Sequence, residues 1–479
     1  MTLRQLLAAV VLAGLAPLPA KRALAWDPAT THAGLTQRAL EASRFHATLA
    51  HQLGRALGSL EPLHLDVNTL DADVGRDLKA RLDALDSSGG YRPSAEGIAS
   101  ASEWVSAGAV LAKTPPERGR HHFFEPKTRT GLDDGPGLSG TVHAARLTFD
   151  DGATVRDSAT GLAFDLEGMP ALEWLRSPRN DLGLSAFFDN WALAASAPQA
   201  VQRETALARA LLALGGALSL LEDVGQPAFV RNDFRGEFLT HDSGSALERF
   251  AADRYGSVGL PPATAPVSRP DLDSYFVAAD GNGLAQATQR RFFSPGTVPQ
   301  DFRCDPKQTP SELASAANRS LRFPEPTVTP LDVRRAGRTR YVVREGTRML
   351  AYQRNGERLH FFLDLAVQED LAQRWLPEVE AYAAGMVDHL LRAKLQIVVA
   401  ENKVEVTLTG TVAPVEPGAT LHVYSEDEAG VRTELASRSM GGEPSAPFVV
   451  PKGTRKVAAY VRGRDGAGAF VVAAEARVP

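Results

Sequence analysis

Residues Leu214–Asp233 read LGGALSLLEDVGQPAFVRND. The run leading into them, TALARALLALGGALSLL over 205–221, is almost wholly apolar. That predicts a helix enclosed by protein on most sides. Asp223 falls in its last turn, where the helix dipole disfavours negative charge. A carboxylate at the end of a buried apolar helix needs a cation, a metal or hydrogen-bond donors. Pro227 then breaks the helix and a polar turn, Arg231-Asn232-Asp233, follows. Gly215-Gly216 costs about 1 kcal/mol per glycine inside a helix, which predicts close packing against another helix.

Around this helix the chain alternates between two periods. Thr31–Leu57 has helical spacing of Leu35, Ala39, Leu40, Leu49 and Leu53. Ala95–Leu111 is a second amphipathic stretch with Ser94 as its N-cap. Helices are expected again over Pro170–Leu175, Leu184–Ala197 and Val201–Asp223, and over Leu365–Arg392, interrupted or kinked near Pro377. Residues 128–167 are Gly- and Asp-rich with short alternating runs, so they predict a loop carrying a β excursion. A second β excursion, a ribbon turning at Asn355-Gly356, is expected over 340–363. Residues 255–330, rich in Pro, Ser and Asp, read as surface connections. After Ala393 strict alternation takes over (KVEVTLTG, TLHVYSE, KVAAYVRG, AFVVAAEARV). Residues 393–479 are therefore expected to form an immunoglobulin-like β-sandwich domain.

The 479 residues carry a net charge of only −5, so there is no basic field for nucleic acid and no polybasic membrane patch. Arg4, the apolar run Leu6–Leu18 and Ala23-Leu24-Ala25 have the form of a secretory signal peptide over 1–25, cleaved before Trp26. That predicts an exported protein, periplasmic or extracellular. No other segment has the length of consecutive apolar residues that a transmembrane span requires. The single Cys304 forms no internal disulfide.

The 214–233 phrase resembles the metal helix of the zinc-dependent phospholipase C / S1–P1 nuclease superfamily, "LGxxLHLLQDxxxPAHVRND". Asp223, Pro227, Ala228, Arg231, Asn232 and Asp233 match; Ser219 and Phe229 stand where that family has histidines. Other phrases resemble the same family in order. Trp26–His32 is similar to its mature N-terminus, and Gly108-Ala109 to "GAxxED". His122, Phe123, Phe124 and Pro126 are similar to "NHFYxP", Ser245–Tyr255 to its "YExYV" helix, Leu284–Thr297 to "LAxxTNxxFFSxxT" and Leu376–Arg392 to its closing helix.

The resemblance implies a mainly α fold, with a phospholipase C/P1 nuclease-like helical domain over 26–392 ahead of the β-sandwich. It implies zinc held by the Trp26 amine and carbonyl, His32, His122, Asp223 and Glu248. Four ligand positions depart from the family: Lys113, Ser219, Phe229 and Gly244. At most one zinc site, on Trp26, His32 and Asp223, keeps all its protein ligands. A charged lysine cannot ligate zinc, but its ammonium can stand where a zinc stood and neutralise Asp223 or Glu248.

Loss of clustered zinc removes the means of polarising a phosphodiester. The expectation is a protein of phosphodiesterase fold with weak or absent activity, binding a phospholipid or other phosphate-bearing ligand in a Lys113-lined cleft. Its β domain would dock a surface or a protein partner. The alternative is an active zinc-dependent phosphoric-ester hydrolase, phospholipase C rather than nuclease, whose rearranged site recruits His121, His143 or His241.

Overall fold

The structure is a computed structural model. It describes residues 28–64, 72–88, 98–113, 116–132, 147–149, 154–157, 163–165, 168–233, 247, 250–251, 265–294, 298, 302–303, 332–336, 338–344, 346–400, 402–412, 414–440 and 447–479. The expected signal peptide, Trp26, His143, His241, Gly244, Glu248 and Cys304 lie outside the described residues.

A π-helical turn, Pro28–His32, leads into α1 (Ala33–Ala42). Helices α2 (Phe45–Gln52), α3 (Ala72–Ser88), α4 (Ala101–Leu111), α5 (Ala171–Arg176), α6 (Leu184–Ser196) and α7 (Ala200–Asp223) follow. They are succeeded by α8 (Asp273–Phe276), α9 (Leu284–Arg291) and α10 (Leu365–Leu390). The core of this helical body gathers around α7, whose residues 205–223 are buried except Arg209. This helix is long and apolar enough to cross a membrane, yet most of it is enclosed by the protein's own helices.

Gly215, predicted to permit close packing, does so, and Gly108 joins it. A Cβ on Gly215 would lie 1.8 Å from the Val105 carbonyl of α4, and one on Gly108 would lie 2.0 Å from the Leu212 carbonyl of α7. The two backbones therefore touch at reciprocal glycines, and α4 is locked against the helix that carries Asp223.

Local chemistry moved several helix boundaries. The expected Thr31–Leu57 helix is two, because the Ser43 hydroxyl donates to the Leu40 carbonyl (2.9 Å) and accepts from the Phe45 amide (3.2 Å). The side chain thus closes α1 and opens α2. Helix α4 begins at Ala101 rather than Ala95: Ser100 and Glu103 form a capping box there. Helix α10 runs through Pro377 without interruption. The 255–330 stretch is not all surface connection, since α8 and α9 lie in it and Tyr275, Phe276 and Leu284 are buried.

The chain holds more sheet than a mainly α expectation allows; the fold is mixed helix and sheet. Strands β1 (Pro62–His64) and β2 (Ile98–Ser100) pair, and β3 (Leu147–Phe149), β4 (Thr154–Asp157) and β5 (Ala163–Asp165) form a small antiparallel sheet. Next come β6 (Phe302–Arg303), β7 (Asp332–Ala336), β8 (Thr339–Arg344), β9 (Thr347–Asn355) and β10 (Arg358–Phe362). They make a five-stranded sheet in the order β6-β10-β9-β8-β7, wider than the expected ribbon.

After α10, β11 (Lys394–Ala400), β12 (Lys403–Thr409), β13 (Thr420–Glu426), β14 (Arg432–Ser439), β15 (Phe448–Val449), β16 (Lys456–Asp465) and β17 (Gly468–Arg477) build two antiparallel sheets, β11-β12-β15 and β14-β13-β16-β17. Their facing residues, among them Val404, Leu421, Val423, Val461 and Phe470, form a separate apolar core. Alternation sends Val471 and Ala473 to the other face, where they join the core of the helical body. A buried polar seam reinforces that junction. Arg432 reaches Glu426, Glu475 and the Ala195 carbonyl, while Arg203 reaches Glu426 and the Gly430 carbonyl.

Candidate functional site

The last turn of α7 carries Glu222 and Asp223 into a pocket closed on all sides, and both side chains are 0% exposed. Three elements converge on them. The π-turn ahead of α1 supplies His32, and the residue pair after α4 supplies Lys113. The 3-10 turn Pro116–His122 supplies His122.

Lys113 Nζ donates to Asp223 Oδ1 at 2.8 Å. His32 bridges both acids, with Nδ1 2.5 Å from Glu222 Oε2 and Nε2 3.1 Å from Asp223 Oδ1. His122 Nδ1 lies 2.5 Å from Asp223 Oδ2, and Thr36 Oγ1 donates to Glu222 Oε1 at 2.8 Å.

The protonation states follow from these neighbours. Burial by itself would lower His32, but the Asp223 charge and the hydrogen bonds to both carboxylates outweigh it and hold the ring above its ordinary value. Burial would raise Asp223, but Lys113, His32 and the two imidazole contacts hold it far below the carboxylate range. For His122, burial outweighs the Asp223 hydrogen bond and charge, with Lys113 and His32 adding to it, and holds the ring below its ordinary value. Its Nδ1 faces Asp223 and its Nε2 faces the Ala112 carbonyl at 3.2 Å. The cluster thus sets Lys113 and the two histidines against Glu222 and Asp223.

Among the described residues, Lys113, Ser219 and Phe229 are all buried. Phe229 stacks on Phe123 with ring centroids 4.3 Å apart, and Lys113 Nζ lies 5.1 Å from the Phe229 centroid. Ring and ammonium stand in a favourable cation–π arrangement. Ser219 sits one turn before Asp223, fully buried, and its hydroxyl bonds to none of the described residues.

Zinc requires bare lone pairs converging at about 2.0–2.2 Å. Here both ring nitrogens of His32 already face carboxylates, and Asp223 Oδ1 is shared by Lys113 and His32. Among the described residues, no group of three or more His, Cys, Asp or Glu is arranged to hold a metal ion. The described residues of the cluster do not fit zinc as they stand.

No family model matches this chain, and no curated protein matches it either. Among solved structures it is similar to the alpha toxin of Clostridium absonum, at 11% identity and a TM-score of 0.26, over 95% of each chain. It is also similar to the alpha-toxin of an avian strain of Clostridium perfringens, at 10% identity and a TM-score of 0.24, over 95% of this chain and 99% of that one. Similarity at this level fixes neither fold nor activity for this chain.

The rest of the 214–233 phrase has structural work. Thr288 Oγ1 donates to the Val224 carbonyl (2.7 Å), and Trp375 Nε1 donates to the Gly225 carbonyl (2.6 Å). The Arg231 guanidinium donates to the Phe292 carbonyl (2.9 Å) and the Gln289 carbonyl (2.5 Å), binding the end of α9. Helices α9 and α10 therefore fix the turn beyond Asp223.

Two expectations change here. Lys113 is 1% exposed and engaged by Asp223, so it cannot line an open cleft for an anionic ligand. His121 turns away from Asp223: it stacks on Trp174 at 4.1 Å and accepts from the Met169 amide at 2.9 Å. Glu222 and Thr36 were not singled out from sequence. The available signal was the glutamate at 222, where the "LLQD" phrase has glutamine; its carboxylate accepts from Thr36 and adds a hydrogen bond to His32 beside the dominant Asp223 charge.

Proposed function

We propose that this chain is an exported, phospholipase C/P1 nuclease-like protein in which the metal-binding heart of the fold has become a buried ion-pair cluster. In this reading a signal peptide over 1–25 is cleaved before Trp26, residues 26–392 form the helical domain, and 393–479 form an immunoglobulin-like sandwich. The protein acts by binding rather than by hydrolysing phosphoric esters. The observation that carries this is Lys113 on Asp223: an ammonium bonded to the central carboxylate at 2.8 Å, both side chains buried. Phosphodiester hydrolysis by this family's chemistry needs cations that polarise the ester and activate water. A lysine sealed beneath Phe229 reaches neither.

A single zinc on Trp26, His32 and Asp223 would require His32 to lose a proton and swing off a carboxylate. Zinc would then compete with an ion pair that already neutralises the site. A phospholipid or other phosphate-bearing ligand would have to bind at a surface other than Lys113, and the sandwich is free to dock a surface or protein partner at its outer strands.

The test is elemental analysis and turnover on the exported chain with its native N-terminus mapped. At most one zinc per chain, with no release of phosphorylcholine from phosphatidylcholine vesicles and no cleavage of single-stranded DNA, is expected. Two or three zinc ions together with turnover would sink the reading and favour the active hydrolase.

A further inference from the structure

The 3-10 turn that delivers His122 to the buried acids also carries Arg120 and His121, both half-buried at the surface. His121 lies on Trp174 of α5, with ring centroids 4.1 Å apart. Both of its ring nitrogens face donors. The Met169 amide stands 2.9 Å from Nδ1, and the Arg120 Nε–H stands 3.1 Å from Nε2.

Burial first, then the charges of Arg120, His122, Arg179 and Arg118, lower the His121 pKa to about 3, so at neutral pH the ring is uncharged. A neutral imidazole has one N–H and one acceptor nitrogen. With Nδ1 accepting from Met169, the N–H is on Nε2 and points at another donor. An acceptor arriving at that edge would meet an imidazole N–H and a guanidinium together. Anionic oxygens form the strongest hydrogen bonds to such a pair.

The charges around the ring are unbalanced in the same sense. Asp181, in the turn after α5, is shared by Arg118 (2.8 Å) and by Arg81 of α3 (3.0 Å). Arg179, two residues before Asp181, is exposed, and among the described residues its guanidinium forms no ion pair. Leaving Arg120 aside, Arg81, Arg118 and Arg179 meet only Asp181 and the exposed Glu173 beside Trp174. The other carboxylate of Arg81, Asp77, is itself shared with Arg209. An anion can therefore use Arg179 without displacing a carboxylate from it. A tetrahedral oxyanion suits donors that arrive from separate elements, because its oxygens point in different directions; the two oxygens of a carboxylate lie in one plane.

We propose that the surface formed by Arg118, His121 and Arg179 binds an oxyanion of the phosphate type, carried by a soluble phosphate ester or by the headgroup of an anionic lipid. This rests on reading the protein as a binder whose phosphate-bearing ligand meets a surface other than Lys113. Zinc content and turnover decide that reading without reference to Arg179, so the two can fail separately.

The test uses the full mature chain at low salt. Titration calorimetry with inorganic phosphate and with glycerol 3-phosphate reads the soluble anion. Co-sedimentation with phosphatidylglycerol vesicles, with phosphatidylcholine vesicles as the blank, reads the lipid headgroup. Binding in at least one arm is expected, weakening as NaCl is raised because the site is open to solvent. The arm that responds identifies which source the site takes. Arg179→Ala should weaken binding about threefold to fivefold, the scale of one exposed ion pair, and Arg179→Glu more. His121→Phe keeps a ring on Trp174 but removes the N–H, and should weaken binding as well. Arg464→Ala, at a side chain 65% exposed on the sandwich, should leave binding unchanged. Should His121→Phe not fold, Arg179→Glu decides, since its position is exposed. No binding of phosphate, of glycerol 3-phosphate or of the anionic vesicles overturns the proposal. So does binding that Arg179→Glu leaves intact, or that Arg464→Ala weakens as much as Arg179→Ala does.

Discussion

Lys113 and Asp223, 110 residues apart in sequence, form an ion pair with both side chains closed to solvent. Breaking such a pair by removing one partner leaves a bare buried charge, which costs about 3–5 kcal/mol. Lys113→Met should therefore lower stability by that order in urea denaturation, and Lys113→Met with Asp223→Asn should recover part of the loss. A loss below about 0.5 kcal/mol, the range of ordinary surface changes, would show the pair to be dispensable.

If the ammonium occupies a cation's place, the fold should accept a metal once the ammonium is removed and the donors are supplied. The triple variant Lys113→Asp, Ser219→His, Phe229→His is expected to gain zinc by elemental analysis. Zinc should also raise its melting temperature, as a ligand of the native state must. The unaltered chain should melt at the same temperature with zinc or with EDTA, and a drop in EDTA would contradict the cluster's self-sufficiency.

Gly215 lies against the Val105 carbonyl with no room for a Cβ. Gly215→Ala should force α4 and α7 apart and cost about 3 kcal/mol or more, at the upper end of overpacking effects. A calorimetric scan reads this directly, and an unshifted melting temperature would mean that the helices separate freely.

The junction seam predicts coupled unfolding. Arg432→Met strips a buried cation from Glu426 and Glu475 and should destabilise by about 3 kcal/mol. It should also split one thermal transition into two, the sandwich parting from the helical body. A single transition retained in the variant would assign the coupling to the apolar contacts of Val471 and Ala473 instead.

His389 gives a pH dependence. Burial first, then the Arg392 charge, lower its pKa to about 4, against opposing contributions from Asp465 and Asp271; the Tyr275 ring packs edge-on against it. In the unfolded chain it titrates near 6.5. Between those values the unfolded state binds a proton that the folded state refuses, so stability is full above about pH 6.5 and falls as pH drops towards 4. Urea midpoints at pH 8, 6 and 5 should decline, and less steeply in His389→Phe. Equal slopes in both proteins would remove His389 from the account.

Much of the fold is legible in the sequence because it is decided locally. The apolar run of α7, the 3–4 spacing of α6 and the alternation after Ala393 each imprint a period on a short window, and hydrogen bonds within that window satisfy the backbone. The boundaries shifted where a single side chain spoke for the backbone, as Ser43 and Ser100 do. The Asp223 site was half legible: a carboxylate ending a buried helix announces that it needs a partner.

Which partner it has is another matter, and only the tertiary structure decided it. His32 comes from 191 residues away, Lys113 from 110 and His122 from 101. No local period records such distances. They are fixed when reciprocal glycines let α4 meet α7 and when Phe229 closes over the lysine. By itself the sequence determined that Asp223 must be neutralised, because charge cannot be buried alone. The folded chain determined that Lys113 and His32 do it, with His122 adding a hydrogen bond, because packing chooses which donors reach the acid before water is excluded.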